Sequence, residues 1–251
     1  MPEGDTVFHA AARLHTALAG KALTRCDIRV PRFAAVDLTG RVVDAVEPRG
    51  KHLFVRIGDT AIHSHLKMEG IWQVTEPGGR WLRPGFKARI VLANDTVDAI
   101  GFELGVVEVL SSAESVRAVA HLGPDLLGPD WDADEAVARL SQHPDLPIGV
   151  ALLDQRNLAG VGNVFVSEIC FQVRIDPRIP VADVPDLPLV VELAYKLLNM
   201  ARVKPPRQEL VYGKARRPCP RCRTPIIRVQ HEVGISADRS IYLCPNCQRR
   251  A

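Results

Sequence analysis

Two cysteine pairs near the C-terminus, Cys219-Pro-Arg-Cys222 and Cys244-Pro-Asn-Cys247, constrain this chain more than any other feature. A CxxC turn lets two thiolates reach one ion, and two such turns complete a tetrahedral site. Residues 226–229 and 240–243 read as the strands of a hairpin between the pairs. The 21 residues separating the pairs exceed the usual zinc-ribbon spacing by one, so the tip HEVGISAD reads as extended. All four positions are protein thiolates, which makes the expected ion a single structural Zn2+ rather than a catalytic one. The opening MPEGDTVF carries no secretion signal, and this too favours zinc over disulfides. Cys26 and Cys170 stand alone among apolar neighbours and read as core residues.

Charge is distributed unevenly. Residues 202–251 hold 12 Lys or Arg against 3 Asp or Glu, a formal +9, while the rest of the chain stands at −6. Four thiolates and one zinc subtract two charges, which leaves the tail about +7. Arg221, Arg223, Arg228 and Arg239 crowd the cysteine module, and a basic tail on an acidic body suits a polyanion. A solvated basic terminus is the plain alternative. No apolar run approaches a membrane span, so a soluble, cytoplasmic, nucleoid-associated protein is expected. Nothing suggests an oligomer, and a monomer is assumed.

The 47% of hydrophobic residues supply a proper core. Residues 6–19 place Val7, Ala11, Leu14 and Leu18 on one helical stripe, with Asp5 as candidate N-cap and Gly20 just past the end. The period then becomes that of strands. ALTRCDIRV, RVVDAVEPR, HLFVRIG, TAIHSHL, ARIVLA, TVDAIGF and VVEVL are short and rich in β-branched residues, punctuated by turns such as Gly58-Asp59 and Asn94-Asp95. Residues 22–110 therefore predict an antiparallel sandwich or barrel. After Ser112 five helical segments follow, with HLGPDLLGPDW (121–131) as a joining loop and 202–217 as a basic linker. The expected organisation is α+β: 1–111, 112–217 and a cysteine module at 218–251.

Two short stretches carry chemistry. LLDQRNLAGVGNVFVSEICF (152–171) reads as helix, two turns, helix. Gly160 and Gly162 permit close backbone approach, and Asn163 opens the second helix, where free amides make a phosphate seat. A plain glycine connector would look the same. Glu168, on that helix, is placed to satisfy backbone amides of the turn. The second stretch is Pro2-Glu3-Gly4. Removal of Met1 would leave a secondary amine, and an α-amino group with a pKa of roughly 7.7–8.0 is partly unprotonated near neutrality. Such an amine attacks an electrophilic sugar carbon to give an iminium, with Glu3 beside it to shuttle protons. A frayed terminus is the alternative.

PEGDT, RGKHLF (49–54), LGPD (122–125), LDQRNLAGVGN (153–163) and CPRC…CPNC occur in that order. Together they resemble the formamidopyrimidine-DNA glycosylase and endonuclease VIII family over nearly the whole chain. PEGD and AGVGNVFVSEI look closer to the endonuclease VIII branch. The resemblance implies an N-terminal helix and β-sandwich, a helical domain with a helix-two-turns-helix motif, and a zinc finger, with damaged DNA between the domains. It implies base excision by Pro2 attack on C1′ with Glu3 as general acid, followed by β- and δ-elimination. Lys51 matches the family's catalytic hairpin lysine, and Asn163 and Arg239 match its phosphate contacts. Glu168 matches a family glutamate on the same helix. The loop HSHLKMEG (63–70) occupies the place that fills the gap left by an extruded base, with Leu66 and Met68 as candidates and His65 as a third. Strand core is the alternative there. AIGFELGVVEVL (99–110) lacks the arginine-bearing loop of the formamidopyrimidine branch, which points away from 8-oxoguanine and toward oxidised pyrimidines. The competing reading is a non-catalytic protein that binds damaged DNA on the same scaffold. A weaker one, a zinc-ribbon protein binding RNA or protein, leaves the PEG start unexplained.

Overall fold

A computed structural model describes residues 1–230 and 240–248, in two compact units, Met1–His121 and Leu122–Ala251. Arg239 and the hairpin tip fall outside the described residues. No described helix is long and apolar enough to cross a membrane.

The first unit opens with α1 (Gly4–Leu18), whose Val7, Ala10, Ala11, Leu14 and Leu18 form a buried stripe. Burying one such leucine is worth about 2 kcal/mol. The helix starts earlier than its apolar period suggests. Glu3, not Asp5, is the N-cap, and the Glu3 N–H donates to Thr6 Oγ1 at 3.4 Å in a capping-box arrangement.

Eight strands follow: β1 (Arg25–Ile28), β2 (Ala45–Arg49), β3 (His52–Ile57), β4 (Thr60–His65), β5 (Ile71–Thr75), β6 (Ala88–Ala93), β7 (Asp98–Phe102) and β8 (Val106–Ser111). They form two four-stranded antiparallel sheets, ordered β1-β6-β7-β5 and β2-β3-β4-β8. Leu53, Val55 and Ile57 of β3 and Ile62 of β4 join Ile90 and Leu92 of β6 and the α1 stripe in one core. The expected sandwich is therefore present. β5 is the strand the sequence pattern did not reveal, because the loop before it ends in a turn closed by Gly70 N–H to Leu66 O at 2.9 Å. A Cβ at Gly70 would lie 2.4 Å from that carbonyl, so only glycine fits. Cys26 is half-buried rather than fully enclosed.

Helix α2 (Ser112–Val119) packs on β4 and β8, and Arg56 Nη1 donates to Ser115 Oγ at 2.5 Å. It belongs with the sandwich, whereas a boundary after residue 111 would place it with the helices.

The second unit holds α3 (Ala133–Ser141), α4 (Ile148–Leu153), α5 (Asn163–Val173), α6 (Leu187–Val203) and a hairpin of β9 (Ile227–Gln230) and β10 (Ser240–Leu243). α5 is buried from Asn163 to Phe171, as expected of a helix apolar on nearly every side. Cys170 lies in its core. Residues 122–126 are buried as well, with Ala159 N–H donating to Pro124 O at 2.9 Å, so this stretch is part of the packed unit and not a loose joint.

Candidate functional site

In the first unit, α1 begins at the residues singled out for chemistry. Pro2 is half-buried, and Glu3 is 0% exposed at the helix N-terminus, where the helix dipole favours an anion. Lys51 is half-buried in the turn between β2 and β3, next to Gly50 at φ 55°. In the candidate wedge loop the two apolar residues part company. Leu66 is 2% exposed and belongs to the sandwich core. Met68 is 58% exposed, following Lys67 at φ 54°. His65 Nδ1 accepts the Lys67 N–H at 2.9 Å. Nearby, Glu103 pairs with Arg83 and with Lys87 at 2.8 Å, filling the segment that lacks the expected arginine.

The sequence reading missed a histidine cluster on the outer face of the β2-β3-β4-β8 sheet. Strand register puts His52 opposite His65, and His63 between Phe54 and Glu108. His63 Nδ1 lies 3.0 Å from Glu108 Oε2, and His52 Nδ1 lies 2.8 Å from His63 Nε2. The His65 ring stands edge-on to His52 at 5.0 Å, and His121 at 6.4 Å. Burial, then His65, His63, His121 and Lys67, depress His52 to a pKa of about 3. Burial, Lys67, Lys51 and His63 depress His65 to about 4. The available signal was the alternation of His52, His63 and His65 on paired strands, legible only once the register is known.

In the second unit, Asn163 opens α5 and is 2% exposed. Its Oδ1 is buried and has no hydrogen-bond partner among the described residues. Such an orphaned atom costs about 1–3 kcal/mol unless a ligand or water meets it. The turn ahead of it is fixed by Gln155, another residue not foreseen. Its Oε1 accepts Gly160 N–H at 3.0 Å, and its Nε2 donates to Leu153 O and Val161 O. Gly160 adopts φ 111°, which a side chain would oppose.

Glu168 does satisfy backbone amides, but not those of the two-turn motif. Its carboxylate accepts N–H groups from Leu210, Val211 and Tyr212 at 2.9–3.0 Å. Burial pushes its pKa up, and the three amides pull it back. Residues 202–217 are thus more than a linker, since Val211 is buried with Phe171, Ile226, Cys219 and Cys244 in one cluster.

The four thiols Cys219, Cys222, Cys244 and Cys247 lie within 4.8 Å of one another. Cys219 to Cys247 is 3.9 Å and Cys222 to Cys244 is 3.4 Å. Sulfurs at about 2.3 Å from a tetrahedral ion stand about 3.8 Å apart, so the donor set fits a metal ion. Arg221 N–H donates to Cys219 Sγ at 3.4 Å. Two of the module's arginines are exposed yet also engaged within the protein. Arg221 Nη1 donates to Phe171 O at 2.6 Å at the C-terminal end of α5, and Arg228 Nε donates to Ser240 Oγ across the hairpin.

A helix-and-sandwich unit followed by a helical unit with four clustered cysteines that fit a metal ion defines the class: the architecture of DNA-repair glycosylases with a C-terminal finger. Residues 1–100 match the formamidopyrimidine-DNA glycosylase N-terminal domain and residues 122–201 match its H2TH domain. The chain belongs to the formamidopyrimidine-DNA glycosylase and endonuclease VIII family, on the endonuclease VIII side, a family of enzymes with glycosylase and abasic-site lyase activity. It is 51% identical to the probable endonuclease 8 2 of Streptomyces coelicolor, covering 99% of this chain and 94% of that protein. It is 49% identical to the DNA-(apurinic or apyrimidinic site) lyase Nei2 of Mycolicibacterium smegmatis, covering 99% of each. The fold matches Lactococcus lactis formamidopyrimidine-DNA glycosylase bound to DNA containing an abasic site, at TM-score 0.86 and 23% identity over 99% of this chain and 100% of that one.

Proposed function

We propose that this enzyme excises oxidised pyrimidines from DNA through a Schiff base on Pro2 and then cuts the strand by β- and δ-elimination. The observation that carries the reading is Glu3. A carboxyl directly after the proline, 0% exposed at the helix N-terminus, supports Glu3 as a general acid beside the nucleophile.

The steps follow from the residues. Loss of Met1 frees the Pro2 nitrogen, which attacks C1′ of the extruded nucleotide. Glu3 donates a proton to the sugar as the ring opens. The base departs, and the resulting iminium acidifies C2′, so the phosphates on either side leave in turn. Lys51 assists proton transfer and grips phosphate from the β2–β3 turn. Asn163, at the start of α5, and Arg239 grip the backbone around the lesion. Met68 fills the vacated stack, and Leu66 supports it from the core. A zinc ion on the four cysteines would act as a structural crosslink. Cys219, Cys222, Cys244 and Cys247 hold it, and Glu168 ties the preceding segment to α5.

The preference for pyrimidines rests on Glu103, which takes up Arg83 and Lys87 where an arginine-bearing loop would otherwise read an oxidised purine. Borohydride trapping on a panel of oligonucleotides carrying oxidised pyrimidines, 8-oxoguanine or an abasic site tests the reading. Adducts on abasic and oxidised-pyrimidine DNA are expected, with weak trapping on 8-oxoguanine. Binding without any adduct would instead make the chain a sensor of damaged DNA.

A further inference from the structure

With His63 neutral, the Glu108–His63–His52 chain has one consistent proton order. A carboxylate only accepts, so Glu108 Oε2 at 3.0 Å requires the proton on His63 Nδ1. Neutral His63 then carries a lone pair on Nε2, and His52 must donate to it through Nδ1 at 2.8 Å. His52 is left with a bare acceptor at Nε2. One carboxylate thereby fixes the tautomers of two histidines.

We infer that Glu108, His63 and His52 form a proton relay that serves the elimination steps, with His52 Nε2 as its entry and His63 and Glu108 as positioning residues. The inference rests on the lyase reading above. In the step it serves, the C2′–H bond of the iminium breaks. Its electron pair becomes the C1′=C2′ bond of an enamine as the C1′=N pair moves onto the Pro2 nitrogen, and the proton passes to His52 Nε2. The His52 Nδ1 proton moves to His63 Nε2, and His63 becomes an imidazolium between His52 and the Glu108 carboxylate. One proton enters; the enamine nitrogen's pair then expels the 3′ phosphate from C3′, and the stored proton leaves through His52 Nε2 to that phosphate or to water.

The relay solves a problem that His52 alone cannot. Burial, the rings of His65, His63 and His121, and Lys67 all disfavour charge on His52 itself. Burial, then Lys67 and Lys51, likewise lower the pKa of His65. His63 is the member placed against a carboxylate, buried at 4% exposure and stacked on Phe54 at 4.7 Å. Arg56, over the Phe54 ring, spends its own charge on Glu47 at 3.2 Å. The cluster is half-buried at His52, the residue following Lys51 in the chain.

Single-turnover elimination on abasic-site duplex, with borohydride trapping in parallel, separates this role from a structural one. Glu108→Gln keeps an acceptor for His63 but removes the charge that stabilises its imidazolium, and His63→Phe fills the same space. Both are expected to trap normally while elimination slows about 10-fold, and the acid limb of the Glu108→Gln rate profile moves to lower pH. Trapping and elimination that fall together, or a profile superimposable on the parent, would overturn the relay. A parent protein that yields no trapped adduct would sink the lyase reading itself. Histidine-selective 15N NMR of the intact protein tests the chain independently of activity: an Nε2–H tautomer at His52 near neutral pH contradicts it.

Discussion

Glu168 Oε1 accepts the Val211 N–H at 3.0 Å, joining positions 43 residues apart. The same side chain takes Leu210 and Tyr212, so a carboxyl buried on α5 organises the segment leading into the cysteine module. Phe171, one helical turn further on, packs on Val211, Cys219 and Cys244.

Glu168→Gln therefore breaks a specific set of hydrogen bonds. A glutamine offers one oxygen, and its NH2 would face the Leu210 N–H. A loss of about 1–3 kcal/mol is expected, read as a lower urea midpoint for the intact chain. An unchanged midpoint would show that the three amides find water at no cost.

The sulfur separations anticipate one Zn2+ per chain by metal analysis, bound in the folded protein and released by a strong chelator or by Cys219→Ser. Because Cys219 and Cys244 share a cluster with Phe171, release should also lower the thermal midpoint of the second unit. A metal-free protein with the same midpoint would contradict the structural role.

Acid should destabilise the first unit. In the unfolded chain His52 and His65 take up protons near pH 6.5, but in the fold only near 3 and 4. Between those values the unfolded state binds more protons, so stability falls as pH drops below about 6.5, by up to about 1.4 kcal/mol per pH unit for each ring, less for the part-exposed portion. The drop in melting temperature between pH 7 and pH 5 should be smaller in His52→Gln. An equal drop would mean that His52 titrates normally.

Leu66 and Met68 should separate cleanly by mutation. Leu66→Ala empties a core site and is expected to cost about 2–4 kcal/mol. Met68→Ala, at an exposed position, should leave stability unchanged and slow excision of a base from duplex DNA more than cleavage at a preformed abasic site. Equal slowing on the two substrates would remove Met68 from the wedge role.

Much of this was legible in the sequence because local rules decide it. The CxxC spacing brings four sulfurs together, the 3.6-residue stripe of Val7, Leu14 and Leu18 makes α1, and alternation in HLFVRI and TAIHSH makes β3 and β4. What escaped depends on distant partners. Nothing local shows that His63 faces Glu108, that Glu168 reaches residues 210–212, or that Arg221 caps α5, because each needs a register or a chain path set by tertiary packing. Leu66 was ambiguous for a related reason: an apolar residue in a turn reads alike whether it points to a core or to a ligand.

The central claim concerns one nitrogen. Intact enzyme reacted with abasic-site DNA under borohydride, digested and mapped by mass spectrometry, locates the covalent bond. A reduced sugar adduct on a peptide beginning at Pro2, abolished by retention of Met1, is the expected result. An adduct mapped to Lys51 or any other lysine, with Pro2 unmodified, would contradict it.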